Sequence, residues 1–135
     1  MYPFLKRGAD IIFSILGILI SAPLLLISIF LIFTSGETSP LYVSYRMGKD
    51  GVLFRMFKLR TMSRARPSKS PLTAYNDNRI NFFGRFLRFS KIDELPQFFN
   101  ILYGDLSFVG PRPMLPEVYF FYSDKTRKKL NKIRP

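Results

Sequence analysis

The sequence predicts an α+β fold that is mainly helical, with an N-terminal membrane helix, a small β-hairpin and interfacial amphipathic helices. Three observations lead to this prediction: an uncharged run from Ile11 to Phe33, an extended segment with a central turn from Leu41 to Met62, and aromatic residues at helical spacing from Phe83. With 135 residues, the chain has room for one domain. We divide it into a membrane anchor, residues 1–36, and an interfacial core, residues 37–135.

The apolar run from Ile11 to Phe33 would form a helix about 34 Å long, enough to cross about 30 Å of hydrocarbon. A signal peptide is the first alternative, but the run is too long for its apolar core and no small-residue cleavage pattern follows. Ser21-Ala22-Pro23 stands at the centre. A proline inside a helix removes a backbone hydrogen bond, so we expect a kink or a break near Pro23.

The charges that flank the apolar run bear on its topology. Lys6 and Arg7 precede it, and every other lysine and arginine follows it. Basic flanks stay on the cytoplasmic side, so both ends favour the same face of the membrane. A re-entrant helix broken near Ser21 and Pro23 satisfies both ends, whereas a straight span satisfies only one. Because large domains do translocate regardless of charge, both topologies remain open from charge alone. Asp10, at the boundary, is interpreted as a salt-bridged interfacial residue.

Turn-forming and apolar patterns predict the core elements. The segment from Leu41 to Met62 reads as a β-hairpin with its turn at Gly48–Gly51, and Ser63–Asn78 reads as a loop. Phe83, Phe86 and Leu87, interleaved with arginines, predict a short helix in the head-group layer.

Two further helices are predicted toward the end of the chain. One begins near Asp93, with Pro96 in its first turn, and runs to Tyr103, where Gly104 ends it. Gly110-Pro111-Arg112-Pro113 cannot be helical, because a residue before proline is pushed to extended angles. The stretch Lys125–Arg134 is typical of a basic surface helix.

Composition limits the chemistry. The net charge of +12 favours phosphate-bearing partners, whether nucleic acid, anionic lipid or phosphorylated small molecules. The sequence has no cysteine and no histidine, which excludes disulfides, thiol nucleophiles, Cys/His zinc sites and imidazole catalysis. Any catalysis would therefore depend on carboxylates, Lys, Arg, Ser or a carboxylate-bound hard metal.

Asp93 and Glu94 are the candidate catalytic pair. Only nine acidic residues stand against 21 basic ones, and this pair lies beside arginines at a predicted helix start, which favours ionised carboxylates. An ionised aspartate can attack phosphorus, and an adjoining glutamate can hold a hard metal that bridges phosphate oxygens. Arg88 and Arg112 are the candidates for neutralising phosphate, although both also fit contacts with lipid phosphate.

With these residues the chain resembles the bacterial sugar transferases, the monotopic phosphoglycosyl transferases that begin glycan assembly on polyprenol phosphate. Motifs in the family's order carry the resemblance over essentially the whole chain: Lys6 with Asp10 and Ser14, Ser21/Pro23, Arg46-Met47-Gly48, Phe57–Met62, Asp77 with Arg79, Gly84–Arg88, Asp93-Glu94-Leu95-Pro96-Gln97, and Gly104–Pro113.

The resemblance implies a magnesium-dependent ping-pong reaction at the cytoplasmic face of the bacterial inner membrane. Asp93 would attack the β-phosphate of a nucleoside diphosphate sugar, expected to be a UDP-sugar, and polyprenol phosphate (undecaprenyl phosphate) would then take the phosphosugar. Glu94 would belong with the magnesium, and Arg88 and Arg112 with phosphate. The product would enter exopolysaccharide or lipopolysaccharide synthesis. The family also implies the re-entrant helix and gives nucleic acid no role.

Three residues and the end of the chain depart from the family pattern. Ala22 separates Ser21 from Pro23, Asn78 replaces a frequent proline, and Phe89 stands where a basic residue is common. After Arg134-Pro135, family members continue into a Gly- and Trp-containing stretch and further helices, so part of the nucleotide site is expected to be missing. The alternative is therefore a catalytically silent or split membrane-surface homologue that binds anionic lipid or a partner. No motif identifies the sugar.

Overall fold

The computed structural model describes residues 2–63, 79–80 and 82–135. It is an α+β structure, mainly helical, with one two-stranded antiparallel sheet among these residues. The helices and strands, in chain order, are α1 (Tyr2–Thr34), β1 (Leu41–Met47), β2 (Leu53–Leu59), α2 (Phe82–Phe89), α3 (Gln97–Tyr103), α4 (Pro116–Phe120) and α5 (Asp124–Asn131). The predicted loop Ser63–Asn78 falls, apart from Ser63, outside the described residues.

Helix α1 is continuous and contains Pro23 in its interior, which differs from the predicted break. Proline removes one N–H donor, and the hydrogen bonds on either side can still hold a long helix together with a local bend. The Ser21 hydroxyl donates to the Gly17 carbonyl at 2.6 Å, a back-bond that also bends helices. In the described part of the chain, Phe4–Thr34 is the single helix long and apolar enough to cross a membrane by length and composition.

One face of α1 is polar or small, and it packs against the rest of the protein. Asp10, Ser14, Ser21 and Ser28 are all buried and recur at intervals of four or seven residues. Gly17 belongs to the same face, where a Cβ would stand 2.9 Å from the ring of Phe98 on α3. The opposite face is exposed and apolar, with residues such as Phe4, Ile20, Leu26 and Phe30. The helix therefore turns its polar face inward, as expected where the surroundings are lipid.

The hairpin forms as predicted. Strand β1 pairs with β2 antiparallel, from Leu41 opposite Leu59 to Met47 opposite Leu53. The connection bends through Asp50 and Gly51, whose φ angles are 59° and 71°. Positive φ at both positions is the geometry that suits the right-handed twist of the flanking strands.

Asn100 of α3 completes the outer edge of β2. Its Oδ1 accepts from the Phe57 backbone N–H at 3.0 Å, and its Nδ2 donates to the Arg55 carbonyl at 2.6 Å. The residue is fully buried. A two-stranded sheet leaves such edge groups without partners, so the Asn100 amide takes the place of a third strand and fixes the hairpin to α3.

Two small apolar clusters lie on either side of the hairpin. One contains Ile32, Leu59, Leu87 and Ile92, and joins the end of α1 to α2 and the turn after it. The other joins β2 to α3 and the segment beyond it, through Phe54, Met56, Ile101 and Leu106. Helix α1 contacts the core at both of its ends, while the division into residues 1–36 and 37–135 stays a prediction.

Helices α2, α3 and α5 lie where helices were predicted, although α3 begins later than expected, and α4 was not predicted. Helix α2 covers the predicted aromatic stretch, and Phe82 and Phe89 on it are each 90% exposed. Helix α3 ends at Tyr103, followed by Gly104 at φ 97°. Gly110–Pro113 is non-helical, and α5 is the basic surface helix.

Candidate active site

Asp93 and Glu94 lie in a 3₁₀ turn, Ile92–Glu94, and not in the first turn of the helix that was predicted to begin near Asp93. Helix α3 begins only at Gln97, because Pro96 adopts helical angles but donates no hydrogen bond. Lys91 precedes the turn with φ 61°, an unusual conformation for a residue with a side chain. Such strained backbone is concentrated at functional sites, so this turn is a candidate part of the active site.

Glu94 forms an ion pair with Lys58 of β2, with 2.8 Å between Oε1 and Nζ. Burial by itself would raise the pKa of this carboxyl. The hydrogen bond and charge of Lys58, helped by Lys91 and Arg112, outweigh burial and lower the pKa of Glu94 below its ordinary value. Glu94 is therefore ionised at neutral pH, as expected from the sequence.

Asp93 has a different environment from its neighbour. Its side chain is buried, with the residue 7% exposed, and Oδ1 has no hydrogen-bond partner among the described residues. Burial raises the pKa of Asp93, and the charges of Lys58, Arg88 and Lys91 only partly oppose the rise. The expectation that its surroundings favour the ionised form is wrong in direction, because desolvation outweighs the nearby cations. An unpaired buried carboxylate oxygen is costly and is typical of a functional group.

A cavity of about 490 Å³ lies beside this turn. Basic side chains from four segments line it: Arg46, Lys58, Lys91 and Arg112. Of the described residues in its lining, Glu94 is the single acidic one, and the lining also includes Phe98 and Phe108. The volume suits a small-molecule ligand, and the excess of positive charge suits a polyanion.

The two predicted phosphate-binding arginines occupy different places. Arg112 lines the cavity from the extended segment between Pro111 and Pro113. Arg88, at the end of α2, donates from Nε to the Thr61 hydroxyl at 2.7 Å, and its charge acts on Asp93. Their contacts with phosphate stay predictions.

Three basic residues of the cavity were not predicted from the sequence as site residues: Arg46, Lys58 and Lys91. The pairing of the two strands offered a signal for Arg46 and Lys58. Arg46 stands directly opposite Phe54. Side chains two residues apart share one face of a strand, so Phe54, Met56 and Lys58 face the same way. Phe54 and Met56 are buried. A cation on the buried face of a hairpin indicates a ligand or an ion pair. Burial, with the nearby charge of Arg112, lowers the pKa of Arg46.

A magnesium ion, which the family resemblance implies, would have few protein ligands here. Among the described residues, no group of three or more Asp and Glu side chains could hold a metal ion. Magnesium is commonly held by one or two carboxylates together with substrate phosphates. Glu94 in a cation-lined cavity, with the unpartnered Oδ1 of Asp93 one residue away, fits that arrangement when the ligand supplies phosphate oxygens.

Comparison with known proteins decides the family. The profile of the family described as bacterial sugar transferase matches residues 1–135. The chain belongs to the bacterial sugar transferases. The order of motifs from Lys6 to Pro113 therefore reflects common ancestry, and the cavity next to Asp93 and Glu94 is the candidate active site of this family member.

Several curated relatives are named as undecaprenyl-phosphate sugar phosphotransferases. The chain is 39% identical over 116 residues to a Bacillus subtilis (strain 168) protein named as a candidate undecaprenyl-phosphate N-acetylgalactosaminyl 1-phosphate transferase, covering 85% of this chain and 65% of the relative. It is 38% identical over 114 residues to an Aeromonas hydrophila UDP-N-acetylgalactosamine-undecaprenyl-phosphate N-acetylgalactosaminephosphotransferase (84% and 27% covered). It is 36% identical over 138 residues to the undecaprenyl-phosphate galactose phosphotransferase of Salmonella typhimurium (90% and 29% covered). The chain thus spans less than two thirds of each of these relatives.

Proposed function

We propose that this chain is the catalytic part of a phosphoglycosyl transferase that moves a sugar 1-phosphate from a nucleoside diphosphate sugar to polyprenol phosphate. The donor is a UDP-sugar, as in the names of relatives from Aeromonas hydrophila and Klebsiella pneumoniae. The acceptor is undecaprenyl phosphate, which the names of the relatives from Bacillus subtilis and Salmonella typhimurium contain. The product begins a bacterial glycan such as an exopolysaccharide or lipopolysaccharide.

The observation that carries the proposal is the cation-lined cavity beside the Asp93-Glu94 turn. A diphosphate brings two or more negative charges, and Arg46, Lys58, Lys91 and Arg112 offer positive charge on the cavity wall. Such groups stabilise charge that develops on phosphate oxygens during transfer. Glu94 stays an ionised carboxylate among these cations, because it is paired with Lys58.

The chemistry follows in two displacements. In the first, an Asp93 carboxylate oxygen bonds to the β-phosphorus of the donor as the bond from that phosphorus to the bridging oxygen breaks, and UMP leaves with the oxygen. In the second, a phosphate oxygen of polyprenol phosphate bonds to the same phosphorus. The bond to Asp93 breaks, and the polyprenyl diphosphosugar is released with the carboxylate restored.

Each displacement places demands on the protein side chains. Asp93 must be ionised, and its burial strips water from the attacking oxygen. Arg112, on the cavity wall, neutralises the charge of the donor phosphates. The positive charge of Arg88 stabilises negative charge near Asp93. Glu94 would hold magnesium, which would supply positive charge to the donor phosphates.

The membrane is the proposed site of the reaction, with the core at the cytoplasmic face and α1 re-entrant, bent at Pro23. Arg7, near the start of α1, donates to the carbonyls of Ile101 and Leu102 at 2.7 and 2.8 Å. Ile32, near its end, packs with Leu59 and Leu87. A helix that crossed the bilayer would carry its two ends to opposite faces, about 30 Å apart. Contact of one small core with both ends supports a helix that stays on one side.

UMP release tests the reaction. The chain, purified in detergent or lipid nanodiscs, is incubated with magnesium and a panel of UDP-sugars, first alone and then with undecaprenyl phosphate. We expect UMP release with one or a few sugars, abolished by Asp93→Asn and retained in Lys129→Gln, on the surface of α5. Folded protein that releases no UMP from any donor would overturn the proposal and favour the silent membrane-surface alternative.

Cysteine labelling tests the topology. The chain has no cysteine, so a single Thr38→Cys, just after α1, reports its own side of the membrane. We expect an impermeant maleimide to label it only in permeabilised cells, like Lys129→Cys in the core. Labelling of Thr38→Cys in intact cells would contradict the re-entrant topology.

A further inference from the structure

A buried polar cluster joins the first turns of α1 to the segment Ser107–Arg112, which we call the cavity loop. Asp10 is 5% exposed. Its Oδ2 accepts from the Ser107 hydroxyl at 2.9 Å, and its Oδ1 accepts from the Phe108 backbone N–H at 3.3 Å. These contacts connect residues almost a hundred positions apart in the chain.

Lys6 completes the cluster one helical turn earlier. Its ammonium group donates to the Ser107 hydroxyl and, at 3.0 Å, to the carbonyl of Val109. The distance from its Nζ to Asp10 Oδ2 is 3.9 Å. Residues four apart share one face of a helix, so Lys6 and Asp10 together hold the cavity loop. The Ser107 hydroxyl accepts from one and donates to the other.

The cluster is energetically demanding. A buried carboxylate that loses its partners costs far more than an exposed one, so Asp10 constrains the groups that bind it. Two of those groups belong to the cavity loop. The same loop is held from its other side by the Ser107 backbone N–H, which donates to the Pro135 carbonyl at 2.7 Å.

The cavity loop in turn forms part of the candidate site. Ser107, Phe108 and Arg112 all line the cavity that Glu94 faces. Pro111 and Pro113 restrict the backbone on either side of Arg112, and only Phe108, Val109 and Gly110 separate Ser107 from this restricted part. The ring of Phe108 also packs edge-on against Phe13 of α1, with 6.2 Å between centroids.

We propose that Asp10 and Lys6 are positioning residues of the active site: the membrane helix holds the cavity loop so that Arg112 faces the diphosphate of the donor. The identity of the anion rests on the proposed function, whereas the coupling between α1 and the loop does not. Asp10 then has a role beyond the interfacial salt bridge expected from the sequence.

The first experiment measures the loop without any turnover. The chain has no tryptophan, and Val109 is 75% exposed, so Val109→Trp places a single fluorophore on the cavity loop. In this background, in lipid nanodiscs, Asp10→Asn and Ser107→Ala should raise acrylamide quenching and weaken the response to added UDP. Losing a hydrogen bond to a charged group should shift the ordered-loop population about tenfold.

Ser14→Ala is the matched control. Ser14 is fully buried on the same face of α1, one turn further on, but its hydroxyl donates to the Ile11 carbonyl of its own helix. We expect quenching and UDP response to be unchanged in this variant. Circular dichroism establishes that α1 is intact in each variant.

The second experiment separates positioning from general damage. Poor positioning of Arg112 should raise KM for the UDP-sugar about tenfold in both Asp10→Asn and Ser107→Ala, and the double variant should be little worse than either. Loss of folded enzyme would lower apparent kcat and leave KM unchanged. Folded variants with unchanged quenching, UDP response and KM would overturn the proposal. A quenching change in a chain that turns over no UDP-sugar would support the coupling and count against the proposed function.

Discussion

Lys58 and Glu94 are 36 residues apart in the chain, and the 2.8 Å between Lys58 Nζ and Glu94 Oε1 joins the hairpin to the Asp93-Glu94 turn. The pair keeps Glu94 ionised in a partly buried position. Asp93, one residue earlier, has no hydrogen bond to Oδ1 among the described residues. Two adjacent carboxylates therefore have opposite electrostatic environments, which is the usual basis for dividing roles between them.

Removing the Lys58 cation should lower stability by an amount that depends on pH. The pKa of Glu94 is lowered in the folded protein, so its contribution is present above the ordinary pKa of 4.5 and is lost as pH falls through the folded value. In Lys58→Met burial remains, and the charged carboxylate becomes unfavourable. We expect a lower Tm at pH 7, with the deficit shrinking as pH falls through the raised pKa of Glu94 in the variant and disappearing below its lowered pKa in the native protein.

Two further variants, measured by thermal unfolding in detergent, test whether the loss of the charge pair is the cause. Lys58→Met/Glu94→Gln should recover most of the lost Tm, because no unpaired charge is left. Lys129→Met, on exposed α5, should have no effect at either pH. A deficit in Lys58→Met that is independent of pH would mean that packing of the lysine stem, and not charge, is what was lost.

Neutralising Asp93 should stabilise the protein while it abolishes activity. The pKa of Asp93 is raised by burial, so its charged form carries a penalty that is present above the folded pKa and absent below the ordinary value of 3.8. Asp93→Asn should raise Tm at pH 7, because the substitution removes the buried negative charge. The gain should fade toward pH 3.8.

Glu94→Gln is the matched comparison for that experiment. Like Asp93→Asn, this substitution replaces a carboxylate by an amide of similar size. It leaves Lys58 without its partner, so Tm at pH 7 should fall. If both substitutions moved Tm in the same direction, the opposite pKa shifts of the two carboxyls would be wrong.

The Asn100 amide should be a main determinant of stability. Asn100→Ala leaves the Phe57 N–H and the Arg55 carbonyl buried without their partner, which should cost about 3 kcal/mol. Asn131→Ala is the control, since Asn131 Oδ1 accepts one hydrogen bond, from the Tyr119 hydroxyl at a less buried site. Thermal unfolding by circular dichroism should show a much smaller loss for the control, and equal losses would contradict the strand-partner role.

Glycines on two faces of α1 should respond oppositely to substitution. Gly17→Leu forces a side chain into the ring of Phe98 and should separate α1 from α3, lowering Tm. A methyl group added at Gly8 would meet no other part of the described chain within 4 Å, so Gly8→Ala should stabilise the helix by about 0.5–1 kcal/mol. A neutral Gly17→Leu would show that α1 and α3 do not pack closely.

Local features of the sequence determined much of the fold. The hairpin followed from alternation around Gly48–Gly51, and the end of α3 from Gly104, because backbone preferences act over a few residues. Pro23 was interpreted too strongly as a break, since one missing hydrogen bond in a long helix is tolerated. The family was also predictable, because ordered motifs retain ancestry, while the roles of the Asp93-Glu94 pair and Arg112 stay predictions.

Only the tertiary structure decided the environment of those residues. Segments far apart in the chain produce these environments. They bury Asp93, pair Glu94 with Lys58 and place the Ser107 hydroxyl within hydrogen-bond distance of Asp10. No periodicity encodes such distances, because desolvation and ion pairing are set by what packs nearby in space. The sequence by itself determined which carboxylates are candidates for the chemistry. The packing of α1, the hairpin and the cavity loop decided which of them is buried and which is paired.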